Sequence, residues 1–599
     1  MRRLWTYLVR YRARAIAGCL CIVATASLAM AIPSLLKHAV DSIDPARAGG
    51  GLRSAGFYAG LVIAIALVQA VVRTFSRFLI FNVGRDIEYD LRNDLFAHLE
   101  HLPAQFYLTR PTGDLMSRLV NDIGAVRMML GPGILNLLNT PVYYLYAVTI
   151  MASIDPWLTV AALLPYPIML LVVKRYSRRL MEGTLRVQEG LADMSSRIQE
   201  NVSGIQVVKA YAREDIEVRE FSEMNARFRR ASLELGRVRG MLAPVFRSVS
   251  ALGILVVLWY GGARVATGKL TIGDLVAFIG YLHLLAWPTM ALGWMLSIVQ
   301  RGRAALRRLD EIFAAEAEIA DPARVDGEPA LAAVGRGEIE LAGVSFAYPS
   351  APTRPVLRDV DVRIPAGATV AIVGRAGSGK TSLLRLLPRL FDPTEGVVRI
   401  DGRDVRDIPL EMLRRAIAFV PQDPFLFSTS LRANIAFARP EAAGNGAIVG
   451  AGDGAASEPV RRAAEWAAVA ADIDDFPRRY GTMVGERGIT LSGGQKQRVT
   501  LARALLVDDA PILILDDALS SVDTQTEKQI LEALEERRRG RTCLIVAHRL
   551  STVQDADLIL VLDGGRIVER GDHDSLLRAG GLYAELFQRQ QISEELEAI

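Results

Sequence analysis

Along the first half of the chain, apolar residues gather into six long blocks, at about 14–36, 55–80, 134–154, 157–175, 244–265 and 274–297. Each approaches the ~20 residues that a helix needs to cross a bilayer. Six buried helices of a soluble protein would need a large polar shell, which residues 1–300 do not contain, so the pattern predicts six membrane spans. The polar stretches 81–133 and 174–243 also repeat apolar residues at helical spacing (Leu91, Leu95, Leu99, Leu102; Val187, Leu191, Met194, Ile198, Val202). The spans are therefore expected to run on as rods outside the membrane. Pro and Gly signals break each rod near its midpoint, at 108–113 and 201–204, and predict short helices at about 112–120 and 204–212 that project furthest from the membrane. A further helix is expected over 300–315.

A looser stretch rich in Ala, Pro and Gly follows, at about 316–336. From Gly337 short β-type runs (Ile339-Glu-Leu341; Val344-Ser-Phe-Ala-Tyr348; Val360-Asp-Val-Arg-Ile364) give way to alternating strand and helix signals, an α/β pattern. The expected organisation is a membrane all-α domain over 1–315, a linker over 316–336 and an α/β domain over 337–599. A Gly- and Ala-rich insertion, 441–457, reads as a surface loop.

Composition agrees with a membrane sector: 51% of the 599 residues are apolar and mean hydropathy is +0.23. The 81–133 and 174–243 segments are rich in Arg, whereas the connections near 37–54, 155–156 and 264–273 carry few basic residues. Both termini and the rods are accordingly expected on the cytoplasmic side of the inner membrane. The start, Met1-Arg-Arg-Leu-Trp-Thr-Tyr7, suits a helix lying at a membrane interface, and no cleavable signal peptide is evident. Because 70 basic residues nearly cancel 66 acidic ones, charge gives no case for a nucleic-acid partner. Cys19, Cys21 and Cys543 sit in apolar runs and read as inert thiols.

The candidate chemistry begins at Gly374-Arg-Ala-Gly-Ser-Gly-Lys-Thr381, between a strand-like run (368–373) and a helix-like run (382–390). Gly374, Gly377 and Gly379 let backbone N–H groups turn toward an anion, and Ser378 and Ser382 complete the contacts. Lys380 can reach the β/γ-phosphates and the Thr381 hydroxyl can ligate Mg²⁺, so ATP with Mg²⁺ is the expected ligand. Pro511-Ile-Leu-Ile-Leu-Asp516 reads as a strand ending in a carboxylate placed to hold that metal. Thr542-Cys-Leu-Ile-Val-Ala-His548 ends at the same sheet edge, which makes His548 a candidate phosphate contact. Leu491-Ser-Gly-Gly-Gln495 then forms a second anion-binding helix start through Ser492, Gly493, Gly494 and Gln495. One nucleotide in one chain does not account for both.

These motifs, in this order, resemble the ATP-binding cassette (ABC) transporter family, specifically exporter-type half-transporters with six membrane helices fused to one nucleotide-binding domain. The resemblance covers essentially the whole chain. It implies an ATPase that drives transport in a dimer, each ATP lying between the phosphate loop of one chain and the Leu-Ser-Gly-Gly-Gln signature of the other. It also implies that Tyr348 stacks on adenine and that Gln422, in Val420-Pro-Gln-Asp-Pro424, touches Mg²⁺ or water and signals to the membrane helices. Gly485-Glu-Arg-Gly488 would meet the rods, Ser520-Ser-Val-Asp523 would cross between subunits, and the turns near 112–120 and 204–212 match coupling helices.

The chain departs from the family at Asp517, where active members usually carry the Glu that polarises the attacking water. One methylene fewer withdraws the carboxylate by about 1.5 Å, and misplacement by roughly 1 Å costs on the order of 100-fold in rate. The expectation is a site that binds ATP and turns it over slowly, with Asp517, His548 and Gln422 as its catalytic candidates. A heterodimer with a second half-transporter carrying Glu is favoured, and a slow homodimer or a nucleotide-gated channel is the alternative. The cargo is expected to be a small amphipathic molecule (drug, lipid or peptide), which Tyr281, Trp287, Met290, Trp294 and Met295 suit, with membrane lipids around it. Arg73, Arg77 and Arg247 either anchor spans or attract anionic head groups, and Gln69, Asn136, Asn139 and His283 either line a pathway or join helices.

Overall fold

The computed structural model describes residues 2–43, 52–322, 334–443, 456–485, 491–547 and 553–597. Two compact units emerge, Met1–Glu100 with Thr112–Ala315, and His101–Pro111 with Glu316–Ile599.

The first unit is all helix. After a short helix, Arg2–Arg10, come the long helices Arg12–Asp41, Leu52–His101, Ile134–Ile154, Pro165–Ser203, Glu214–Val256 and Ile272–Phe313. At ~1.5 Å per residue the 50 residues of Leu52–His101 extend about 75 Å against ~30 Å of hydrocarbon, so span and rod are one helix. Among the described residues, Arg12–Asp41, Arg53–His101, Thr112–Ile154 and Ile272–Phe313 are long and apolar enough to cross a membrane, and Ala251–Ala266 is a shorter apolar helix. The block at 157–175 is divided at Leu164, where Pro165 opens a new helix and leaves Pro156–Leu163 only 8 residues long.

Two boundaries differ from expectation. Residues 300–313 are not a separate helix, because a switch from apolar to charged side chains leaves the backbone ladder of Ile272–Phe313 intact. The helix expected at 112–120 likewise runs on, from Thr112–Ser117 through a π turn, Arg118–Asp122, into Ile123–Met128. Its counterpart Ile205–Ala210 is set off at Gly204. Long-range polar contacts fix the helix register. Asp86, Asp90 and Asp94, four residues apart on one face, bind Arg14 (2.8 Å), Arg10 (3.0 Å) and Tyr7 (2.5 Å). Arg308 forks onto buried Asp122 at 2.8 and 2.5 Å. Met30, Met151, Phe278 and Tyr281 fill the apolar centre.

The second unit carries two sheets. Strands β1 (Ile339–Phe346), β2 (Leu357–Ile364), β4 (Glu395–Ile400) and β5 (Arg403–Asp404) form an antiparallel sheet in the order β2-β1-β4-β5. Strands β3 (Thr369–Gly374), β6 (Ile417–Val420), β7 (Ile512–Asp516), β8 (Thr542–Val546), β9 (Leu558–Asp563) and β10 (Arg566–Gly571) form the other, in the order β10-β9-β3-β8-β7-β6. Its four pairs from β9 to β6 run parallel, and β7 and β8 are buried along their whole length, as strands covered on both faces must be. Cys543 lies inside this sheet, where burial pushes its thiol up to about 12 and keeps it inert.

Candidate functional site

Register assembles the site. Ile372 of β3 and Asp516 of β7 both pair with Val546 of β8, so the phosphate loop after β3 and the carboxylate ending β7 reach the same carboxyl edge of the sheet. The loop turns back sharply at Gly374 (φ +152°), where a Cβ would lie 2.1 Å from the Leu562 carbonyl oxygen. Only glycine fits there. Lys380 opens the helix Lys380–Leu386, and its ammonium donates to the carbonyls of Gly374 (2.9 Å) and Arg375 (3.1 Å). The Thr381 hydroxyl donates to Asp516 Oδ1 at 3.0 Å and lies 3.5 Å from Gln422 Oε1.

These side chains line a cavity of about 280 Å³ with Ser378, Gly379, Ser382 and Asp517. Two buried atoms in it have no hydrogen-bond partner, Ser378 Oγ and Asp516 Oδ2. Such atoms are costly unless a ligand meets them. Burial lowers the Lys380 pKa from its ordinary value, opposed by Asp517 and Asp516, and burial raises that of Asp516. An anion over Lys380 and a cation beside Asp516 would each relieve the strain of holding these charges dry.

Asp517 adopts a left-handed backbone (φ +52°), a conformation that aspartate tolerates better than most residues, and its N–H donates to the Val546 carbonyl at 2.9 Å. Tyr348 is half-buried. Its hydroxyl is 2.9 Å from Ser382 Oγ, and its ring packs edge-on against Phe346 and Phe391. His548 and residues 486–488 lie outside the described residues.

The signature segment is placed elsewhere, since none of Ser492, Gly493, Gly494 and Gln495 lines the cavity. Ser492 caps the helix Gly493–Leu505 through a reciprocal pair with Gln495 (3.2 and 3.1 Å), and Gln495 Nε2 donates to Asp472 at 2.9 Å. A Cβ on Gly494 would sit 2.7 Å from the Ser521 carbonyl oxygen, so the signature backbone presses against the 520–523 loop.

Gln497, which the sequence reading did not single out, ties these parts together. Buried, it accepts from the Ser521 N–H (2.8 Å) and donates to Ser520 Oγ (2.9 Å), with the Asp517 carbonyl at 3.5 Å. The only sequence signal was a second amide two residues after Gln495, which helical geometry turns to the opposite side from Gln495.

Comparison with known proteins gives these features a family. Residues 15–289 match the family model of the ABC transporter transmembrane region and residues 357–520 that of the ABC transporter. A relative from Bacillus subtilis (strain 168), the probable multidrug resistance ABC transporter ATP-binding/permease protein YheI, is 35% identical over 99% of this chain and 98% of its own. The ATP-dependent lipid A-core flippase of Syntrophus aciditrophicus (strain SB) is 33% identical over 95% of this chain and 91% of its own. A bacterial Atm1-family ABC exporter solved with ATP bound superposes with a TM-score of 0.77 at 30% identity, covering 97% of this chain and 99% of that one. The chain therefore belongs to the ABC exporters as a half-transporter: a multi-pass membrane domain fused to an ATPase domain that binds ATP and drives transport.

Proposed function

We propose that this chain works in a dimer at the cytoplasmic membrane, with both termini and the ATPase domain inside, and exports or flips an amphipathic molecule by alternating access. Its own ATP site is built for holding more than for hydrolysis. The observation that carries this reading is Asp517, a short carboxylate lining the cavity where the family's active members use Glu. Lys380 and the loop N–H groups would take the phosphates, while Thr381, Asp516 and Gln422 offer the hard oxygen donors that suit Mg²⁺. That ion would supply charge neutralisation at the phosphates. Asp517, withdrawn from the water's position, would orient it poorly. Tyr348 would support the adenine, and His548 would add a phosphate contact.

Because the signature stands apart from the cavity within one chain, Ser492 to Gln495 are free to complete the site of a second half-transporter. ATP then binds the closed dimer far better than the open one, and this difference in affinity drives closure. A heterodimer whose partner carries Glu next to its metal-binding Asp accounts for the retention of an intact signature beside a weakened carboxylate. The test is ATPase turnover of the purified chain in lipid nanodiscs, alone and after Asp517→Glu. The expected result is a rise in kcat of about 100-fold with little change in ATP affinity. A symmetric dimer whose ATPase does not respond to Asp517→Glu overturns the holding role.

A further inference from the structure

A second cavity, of about 310 Å³, lies inside the membrane unit, walled by the helices Arg12–Asp41, Leu52–His101, Ile134–Ile154 and Ile272–Phe313. Its polar lining has one sign. Arg73 and Arg77 stand one turn apart on the same helix and open into it, joined by Asn136, Asn139 and His283, and no Asp or Glu contributes. Ile22, Leu135, Leu284 and Trp287 supply apolar walls. Other arginines of this unit are neutralised locally: Arg14 by Asp86, and Arg92 and Arg127 by Glu88. Arg73 and Arg77 have no carboxylate partner among the described residues.

Two like charges one turn apart repel, and cations facing a membrane interior are retained where something on the transport path pairs with them. Guanidinium groups match phosphate, sulfonate and carboxylate oxygens in bidentate geometry, and amide N–H groups from Asn136 and Asn139 add neutral donors. Simple anchoring at the inner membrane surface does not account for side chains that turn into a four-helix cavity. The Arg247 side chain, the third basic candidate in these spans, lies outside the described side chains.

We propose that this cavity is a cargo subsite for the anionic head of an amphiphile, the charged group seated between Arg73 and Arg77 and the apolar tail along Trp287 and Leu284. This rests on the export reading above and narrows its cargo from amphipathic molecules in general to anionic ones. Binding is read first, without ATP, so that it stands apart from transport. A fluorescent dodecyl phosphate and its dodecyl trimethylammonium counterpart are titrated by anisotropy into the full chain in a neutral detergent. The phosphate probe is expected to bind at least tenfold tighter than the ammonium probe. Arg73→Gln with Arg77→Gln should erase that preference, and Arg73→Lys with Arg77→Lys should keep most of it. ATP binding at the phosphate loop confirms that each variant is folded. Equal affinity for the two probes, or a preference that survives the double Gln variant, overturns the proposal.

A second arm uses proteoliposomes with Mg-ATP and identifies the source. ATP-dependent movement of labelled phosphatidylglycerol supports a lipid head group, and movement of the free alkyl phosphate alone supports a dissolved anion. Charge-selective binding without movement of either supports the subsite and counts against the export reading. Movement that ignores head-group charge does the reverse.

Discussion

The phosphate loop and the signature segment use the same materials, glycines and a hydroxyl at the start of a helix, yet they stand in opposite states. Ser492 and Gln495 satisfy each other, and Gln495 has a further partner in Asp472. Around the loop, Ser378 Oγ and Asp516 Oδ2 are buried with no partner. The signature is finished before any ligand arrives, whereas the loop is completed only by one. Two helix starts of one domain thus differ in what they still need, which fits the proposed division between holding a nucleotide and completing a partner's site.

Removing the loop's central charge should break this contrast most severely. Lys380→Ala takes away the ammonium proposed to meet the phosphates and should weaken ATP binding about 100-fold, near 3 kcal/mol, measured by calorimetric titration. Gln497→Ala should come next, because it leaves the Ser521 N–H and Ser520 hydroxyl short of partners and loosens the Asp517 backbone. An approximately tenfold loss in kcat with ATP affinity unchanged is expected; a parallel loss of affinity would show that Gln497 supports the loop as well. Ser492→Ala removes only a cap, about 1 kcal/mol of helix stability. It should lower the melting temperature by roughly 2–4 °C without altering ATP binding to the same chain. The mildest effect concerns pH. Burial holds the Asp516 carboxyl above its usual range, and a metal ligand must be ionised. Mg²⁺-dependent ATP affinity should therefore fall as pH drops from about 7 toward about 5, and Asp516→Asn should flatten that dependence.

Local motifs made the loop readable in advance. Gly374 to Thr381, the strand ending in Asp516 and the signature each announce themselves within a few residues, and the parallel sheet brings the first two together by register alone. Helix extents were less legible. The change to charged residues at Gln300 marks where the surroundings of Ile272–Phe313 change, not where its hydrogen bonds end, and the π turn at Arg118–Asp122 has no compositional sign. Gln497 escaped because its partners are 20 to 24 residues away and lie mostly on a loop. The basic cavity was legible in part: Arg73, Arg77, Asn136, Asn139 and His283 each stood out as polar positions with two readings, but that they line one cavity depends on how four helices pack, which no single span shows.

The proline distribution gives the long helices different mechanical characters. Arg12–Asp41, Ile134–Ile154, Glu214–Val256 and Ile272–Phe313 each contain one, at Pro33, Pro141, Pro244 and Pro288. Leu52–His101 contains none across its 50 residues. Proline is the commonest joint in a helix, so this one behaves as a stiff beam that pivots at its ends, the nearer joint being Pro103. For a beam of about 75 Å, a tilt of ~5° sweeps the free end through roughly 6 Å, about one helical turn. Leverage of that size lets a small rearrangement around Arg73 and Arg77 become a large displacement far along the same rod.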